Sequence, residues 1–262
     1  MAEPLPISVV IVAKNEARNL PRCLGSVRGW VADAVVALND TTDGSEAVAR
    51  EFGARVESLP WNGYRDTKNA ALALASQPWV LALDADEEVS PGLRDSIGAF
   101  FVGDGAGRFS GARFPRRVMF LGRWIEHGDW YPDLSLRLFR PDRARWGGDA
   151  FVHEKVECSG PVATLEGDLN HRPYESLAAQ QRKITNYAEL FARQRAEAGV
   201  TVSRIGIVSR SLWRFVRGYV FKCGFLDGFP GLIAALITAH YTFLRYACLY
   251  EAVAAKSRSP RP

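Results

Sequence analysis

The segment Trp79-Val80-Leu81-Ala82-Leu83-Asp84-Ala85-Asp86-Glu87-Glu88 constrains this chain more than any other. An apolar run reads as a buried strand and ends abruptly in two carboxylates spaced i, i+2. Ionised groups at the edge of a core need partners or solvent, so the pair is poorly placed for stability. It is well placed to hold a divalent cation against a phosphorylated ligand, because Mg2+ is typically bound by one or two carboxylates plus phosphate oxygens. In open α/β sheets ligands bind outside the carboxyl ends of the strands. A solvated turn would read the same way in isolation, so the surroundings decide.

Those surroundings alternate strand and helix. Ile7 to Ala13 is continuous and β-branched, as buried parallel strands are. Lys14-Asn15-Glu16 follows, with Asn19 as N-cap and Pro21 in the first turn of a helix. Ala34 to Leu38 reads as a second strand, and the turn residues Asn39 to Gly44 open a helix through Phe52. Ala54 to Glu57 is a short third strand, Asp66 to Ala75 a helix, and Ser90-Pro91 starts the helix after the Trp79 strand. This order predicts a doubly wound, mostly parallel sheet. Polar residues gather after three successive strands, at the expected ligand edge.

Several segments are familiar. "ISVVIVAKNEARNLPRCLGSV", "TTDGS", "DTKNAAL" and "WVLALDADEEVSPGLR" resemble inverting family 2 glycosyltransferases with the GT-A fold. "FLGRWIEHGDWYPDLSLRLFR", "VHEKVE" and "GFLDGFPGLIAAL" are similar to the bacterial subfamily that adds a glucose to the lipopolysaccharide inner core. The resemblance runs from about Ile7 to Tyr250, with the motifs in the family's order. It implies a nucleoside-diphosphate sugar donor (UDP-glucose), a glycolipid acceptor and a Mg2+ or Mn2+ cofactor. It implies Asp86 as the main metal ligand, with Asp84 on the ribose or the metal's water. Glu16, Asp43 and Lys68 would hold the nucleotide, with Asn15 shaping the first loop. The chain departs from the family's Asp-Ser-Gly-Ser-Thr-Asp stretch. Leu38, or Asn39 after a one-residue deletion, stands where relatives carry the acid that contacts the base.

The middle of the chain, Arg108 to Asn170, reads as short strands, among them Gly107 to Phe120, Ser135 to Phe139 and Phe151 to Glu157. An inverting transfer needs a carboxylate to take the acceptor's proton and positive charge on the departing diphosphate. Asp129, Asp133, His153, Glu154 and His171 are the candidates. The resemblance implies Glu154 as the base; strand alternation would turn His153 to the opposite face. His171, before Arg172-Pro173, reads as a loop residue. Asp129 and Asp133 flank Trp130-Tyr131-Pro132, a setting for sugar stacking or an exposed turn. Arg137 and Arg140 would meet the diphosphate or pair with nearby acids.

A chain of 262 residues, 47% hydrophobic, suits one main domain with an appendage. The expected division is a catalytic domain at 1–172 (a donor half at 1–104 and an acceptor half at 105–172), a helical extension at 173–253 and a tail at 254–262. Cys23, Cys158, Cys223 and Cys248 form no CxxC or zinc spacing and read as free thiols of a reducing compartment. No signal peptide is read at the N-terminus.

The net charge of +4 is uneven. No acid falls between Ala198 and Leu226, whereas Arg210, Arg214 and Arg217 share a helical face. With Trp213 and Phe221, this predicts an interfacial helix meeting an anionic inner-leaflet surface. Phe229 to Tyr250 is almost wholly apolar but contains Arg245, which favours a helix dipped into the leaflet over a span. Nothing points to nucleic acid. The expected protein is therefore a peripheral or monotopic glycosyltransferase on the cytoplasmic face of the bacterial inner membrane. A sugar nucleotidyltransferase of similar fold and a non-catalytic sugar- or lipid-binding protein are the alternatives.

Overall fold

The computed structural model describes residues 3–148, 155–174 and 176–258. The chain forms two compact units, Met1–Arg116 with Asp133–His171, and Arg117–Pro132 with Arg172–Pro262. The segment 117–132, which the sequence reading assigns to the first unit, clusters instead with the C-terminal helices.

The first unit begins with β1 (Leu5–Ala13), α1 (Leu20–Val27), β2 (Val31–Leu38), α2 (Ser45–Glu51), β3 (Arg55–Ser58), α3 (Tyr64–Leu72) and β4 (Trp79–Asp84). The four strands are parallel, in the order β3-β2-β1-β4. The chain winds outward from β1 to β3, then returns to lay β4 on β1's other side. The reversal point is therefore between β1 and β4, where Val12 pairs with Asp84. Then come β5 (Glu87–Val89), α4 (Pro91–Val102), α5 (Gly105–Arg108), β6 (Gly111–Phe120), β7 (Arg123–Ile125), β8 (Asp133–Phe139), β9 (Ala144–Gly147), β10 (Lys155–Cys158), β11 (Val162–Thr164) and β12 (Leu169–His171). The sheet continues β4-β8-β6-β12-β5, with β8 antiparallel to β4 and to β6. This is the mixed, parallel-dominated sheet of a GT-A fold.

Strand alternation divides the core. Ile7, Val9 and Ile11 of β1 face a layer holding Leu20 and Leu24 of α1 and Leu93 and Ile97 of α4. Val10 faces the other layer, with Leu72 of α3, Phe139 and Trp146. Burying each large aliphatic contributes about 1.5–3 kcal/mol. Ser8 is fully buried on the second face, yet its hydroxyl donates to Asp33 and accepts from the amides of Ser76 and Gln77. Ser90 caps α4 as expected, its Oγ accepting from Leu93 N at 3.2 Å. Asn19 does not cap α1 with its side chain; its Nδ2 donates to Glu16 Oε2 at 2.7 Å, a stronger, charge-assisted bond.

The second unit is built on α6 (Leu177–Glu197), α7 (Arg204–Val216), a π turn at Arg217–Phe221, a 3-10 turn at Gly224–Asp227 and α8 (Gly228–Arg258). α7 runs antiparallel to α8. Arg204 Nε donates to Tyr250 Oη at 3.1 Å, and Ser211 Oγ to Ala239 O at 2.7 Å. By length and composition α8 could cross a bilayer, but it packs against both α6 and α7. Phe229, Leu236, Phe243 and Tyr250 recur every seven residues along its exposed side. Buried Asp227 ties the unit together, accepting at Oδ2 from the amides of Glu126 and His127.

Candidate active site

The loops after β1 and β2 are stitched to each other. Asn15 adopts a left-handed conformation (φ 56°), which an Asn tolerates better than most residues, and its Oδ1 accepts from Thr42 N at 2.8 Å. Glu16 N donates to Ser45 Oγ at 2.8 Å, and Ala17 N to Asp43 Oδ2 at 3.1 Å. Asp43 also accepts from Ser45, chiefly through the hydroxyl, which holds its carboxyl below the ordinary value. Asp43 therefore braces the two loops. Beside them, at the ends of β2 and β3, opens a cleft of about 310 Å3 lined by Leu38, Asp40, Thr41, Asp43, Val56 and Ser58. Leu38 and Asp40 line it, whereas Asn39 between them is only 4% exposed.

The two aspartates after β4 do different work. Asp84 receives Lys68 Nζ at 3.0 Å on one oxygen and Arg137 Nη2 at 2.7 Å on the other. Burial pushes its carboxyl up, but the charges of Arg137 and Lys68 outweigh that and hold it well below the carboxylate range. Arg137 thus pairs with acids, one of the two roles open to it from sequence. It also bonds the buried Glu87 at 2.8 Å, which accepts from Arg116 and, through its other oxygen, from Asp84 N at 2.9 Å. Trp146 lies beneath these cations, 4.3 Å from Lys68 Nζ to the ring centroid. It is fixed to α3 by a reciprocal backbone pair with Asn69, both bonds 2.9 Å.

Asp86 meets an imidazole instead. His171 Nε2 lies 3.3 Å from its Oδ2. β12 makes this contact by pairing antiparallel with β5, setting His171 opposite Glu87. Burial raises the Asp86 carboxyl, and the His171 contact more than offsets this to leave it below the ordinary value. Two ligands of one transition-metal ion, each about 2.1 Å from it, sit roughly 3 Å apart at a right angle, so the pair fits a shared divalent ion. His171 Nδ1 is buried without a hydrogen-bond partner among the described residues. Among those residues no cluster of three His, Cys, Asp or Glu side chains converges. The pair would leave the remaining positions to phosphate oxygens and water, as is usual for Mg2+. Asp84 is ion-paired through both oxygens, to Lys68 and to Arg137.

Buried Cys23 lies under this turn, 3.6 Å from Asp84 O. Burial first, then the charges of Glu87, Asp86 and Asp84, push its thiol well up. All four cysteines are free.

Of the remaining candidates, His153 and Glu154 lie outside the described residues. Asp133 pairs with Arg116 at 2.7 Å. Asp129 belongs to the second unit, where its carboxylate is 2% exposed and meets Arg214 at 3.0 Å, Lys222 at 3.5 Å and Arg217. Such a surround gives it an ion-pairing role. Two of the expected lipid-facing arginines thus also have a partner inside the unit. Arg214 and Arg217 turn to Asp129, and Arg210 lies over the Tyr246 ring at 5.2 Å, because a buried carboxylate left unpaired would be costly. The sequence reading gave Glu87, Asn69 and Trp146 no role and read His171 as a loop residue.

Residues 8–155, more than half of the chain, match the profile described as glycosyl transferase family 2, and the chain belongs to that family as a glycosyltransferase. It is similar to the lipopolysaccharide core biosynthesis glycosyltransferase LpsC of Rhizobium meliloti, 29% identical over 98% of this chain and 97% of the relative. It is also similar to an uncharacterized glycosyltransferase of Rickettsia typhi, 28% identical over 97% of this chain and 89% of that one. Among solved structures, S. aureus TarS 1-349 in complex with UDP-GlcNAc is 12% identical, covering 97% of this chain and 93% of that one at a TM-score of 0.49.

Proposed function

We propose that this glycosyltransferase moves glucose from UDP-glucose, with inversion, onto a membrane glycolipid, a lipopolysaccharide inner-core precursor, at the cytoplasmic face of the inner membrane. The observation that carries the reading is Asp86 beside His171 at the reversal point of the sheet. The acceptor is supported by the name of the Rhizobium relative, which aligns over nearly the whole of both chains. In this reading 1–172 is the catalytic domain and 173–253 the membrane-side extension.

Asp86 and His171 would hold Mg2+ or Mn2+, whose chemistry is to take up negative charge on the departing diphosphate. Lys68 and Arg137 neutralise Asp84 and keep its carboxylate fixed, so the site needs little reorganisation when charge develops. The loops braced by Asn15, Glu16 and Asp43 receive the nucleoside beside the Leu38 cleft, with Asn39 beneath. Glu154 takes the proton from the acceptor hydroxyl as that oxygen attacks the anomeric carbon, and His153 assists in orienting the acceptor. Support for Glu154 comes from the resemblance of the segment VHEKVE to the family.

Incubating the purified protein with sugar-labelled UDP-glucose, Mn2+ and bacterial lipid extract tests this. Label in the lipid fraction with release of UDP is expected. Formation of UTP and glucose 1-phosphate when pyrophosphate is added would indicate a nucleotidyltransferase. No turnover with any nucleotide sugar would indicate a binding protein, and either result overturns the reading.

A further inference from the structure

α7 is built the wrong way round for a helix in water. A surface helix normally turns its apolar stripe to the core and its charges outward. At ~100° per residue, Ile205, Val208 and Leu212 fall on one side and Arg210, Arg214 and Arg217 on another. Arg214 and Arg217 turn to Asp129 inside the unit, and Arg210, itself exposed, lies over the Tyr246 ring. The apolar side is exposed, with Ile205 82% and Leu212 62% exposed. Trp213 and Phe221, their rings 5.7 Å apart, continue the exposure into the π turn. Beyond it, Phe229 begins the exposed stripe of α8, and the antiparallel packing brings the far end of that stripe, Tyr250, back to Arg204 beside Ile205. Exposed apolar side chains this numerous on two packed helices mark a binding face.

We propose that this outer face of α7, the π turn and α8 is seated in the acyl layer of an anionic bilayer, with Trp213 and Phe221 at the headgroup level. The proposal deepens the membrane reading above and rests on it. It adds the apolar side of the helix to the contact, with the basic residues at its rim. The occupant is argued from charge. Arg214, Arg217 and Lys222 outnumber Asp129, their shared partner, by two and are all about two-fifths exposed. No acid falls between Ala198 and Leu226 to offset them. Anionic phosphates beside an apolar layer complement such a rim. A second copy of the chain does not, since two copies joined by this face would bring like charges together. Aromatics at the boundary suit an interface, and a strongly amphipathic helix lying in the interface plane is an established mode of attachment.

The test uses the full chain and vesicles of phosphatidylethanolamine with phosphatidylglycerol, with neither donor nor acceptor present. Failure of the transferase reading would therefore leave the result untouched. Leu212→Glu with Phe221→Glu, both at exposed positions, should weaken co-sedimentation with vesicles at least ~10-fold. A second readout needs no disruptive variant. Lipids brominated in the acyl chains should quench the wild type's tryptophan emission, and Trp213→Phe should still bind but lose most of that quenching. Unchanged sedimentation of the double variant overturns the proposal. So does a wild type that binds no vesicle but dimerises through this face, or quenching unaltered by Trp213→Phe.

Discussion

His171 Nε2 lies 3.3 Å from Asp86 Oδ2, although the two residues come from distant parts of the chain. Two very short strands hold them there, β5 just after the Asp86 turn and β12 at the end of the first unit. The same turn buries Glu87 beneath Arg137 and Arg116. One contact thus makes a candidate ligand pair, and the adjacent residue fixes the turn that presents it.

The aspartates of the Asp84-Ala85-Asp86 turn should separate on mutation. Asp84→Asn removes a charge partner from Lys68 and buried Arg137, and should lower stability by several kcal/mol. Asp86→Ala removes the one contact with His171 and should lower stability by clearly less. Urea unfolding of both variants measures this; equal losses would mean that the division of labour is wrong.

Glu87→Gln should destabilise the first unit by about 3–5 kcal/mol, the usual cost of removing one partner from a buried ion pair. The effect should appear as a lowered urea midpoint at constant slope. Turnover measured well below that midpoint should also fall, because Glu87 accepts from the backbone amide of Asp84.

Asp33 sets part of the acid limit. Burial raises its carboxyl, but hydrogen bonds from Arg55, Ser76 and Ser8 outweigh this and bring it down to about 2. The unfolded value is about 3.9. A depressed folded value contributes stability that is fully present above about pH 4 and lost as pH falls toward 2. Asp33→Asn should therefore melt below the wild type at neutral pH, and the gap should close between pH 4 and pH 2. A gap that stays constant through that window would contradict the assignment.

Glu154→Gln should cut turnover at least ~100-fold with donor affinity little changed. Asp129→Asn should instead loosen the second unit, since it removes charge from beneath three cations. An active Glu154→Gln beside a folded but inactive Asp129→Asn would move the base to Asp129.

The parallel half of the fold was legible because its signals are local. Ile7 to Ala13 and Trp79 to Leu83 are continuous apolar runs, and Ser90-Pro91 announces α4 directly. The short strands were not legible. Glu87-Glu88-Val89 and Leu169-Asn170-His171 are each three residues long, and only their pairing with each other makes them strands. That is why Glu87 was given no role and His171 read as a loop residue. The alternation of buried Glu87 and Val89 about Glu88 was the one available hint. On α7 the arginine spacing was read correctly, but spacing cannot say which side of a helix faces inward. A partner on another segment, Asp129, decides it.

The most direct test of the account is calorimetric titration of UDP-glucose into wild type and Asp86→Ala, each with Mn2+ and with EDTA. The account predicts that the wild type binds much more tightly with Mn2+ than with EDTA. Asp86→Ala, still folded, should bind weakly and alike in both. Equal binding by the wild type with and without the metal, or a metal-dependent gain that survives Asp86→Ala, would contradict it.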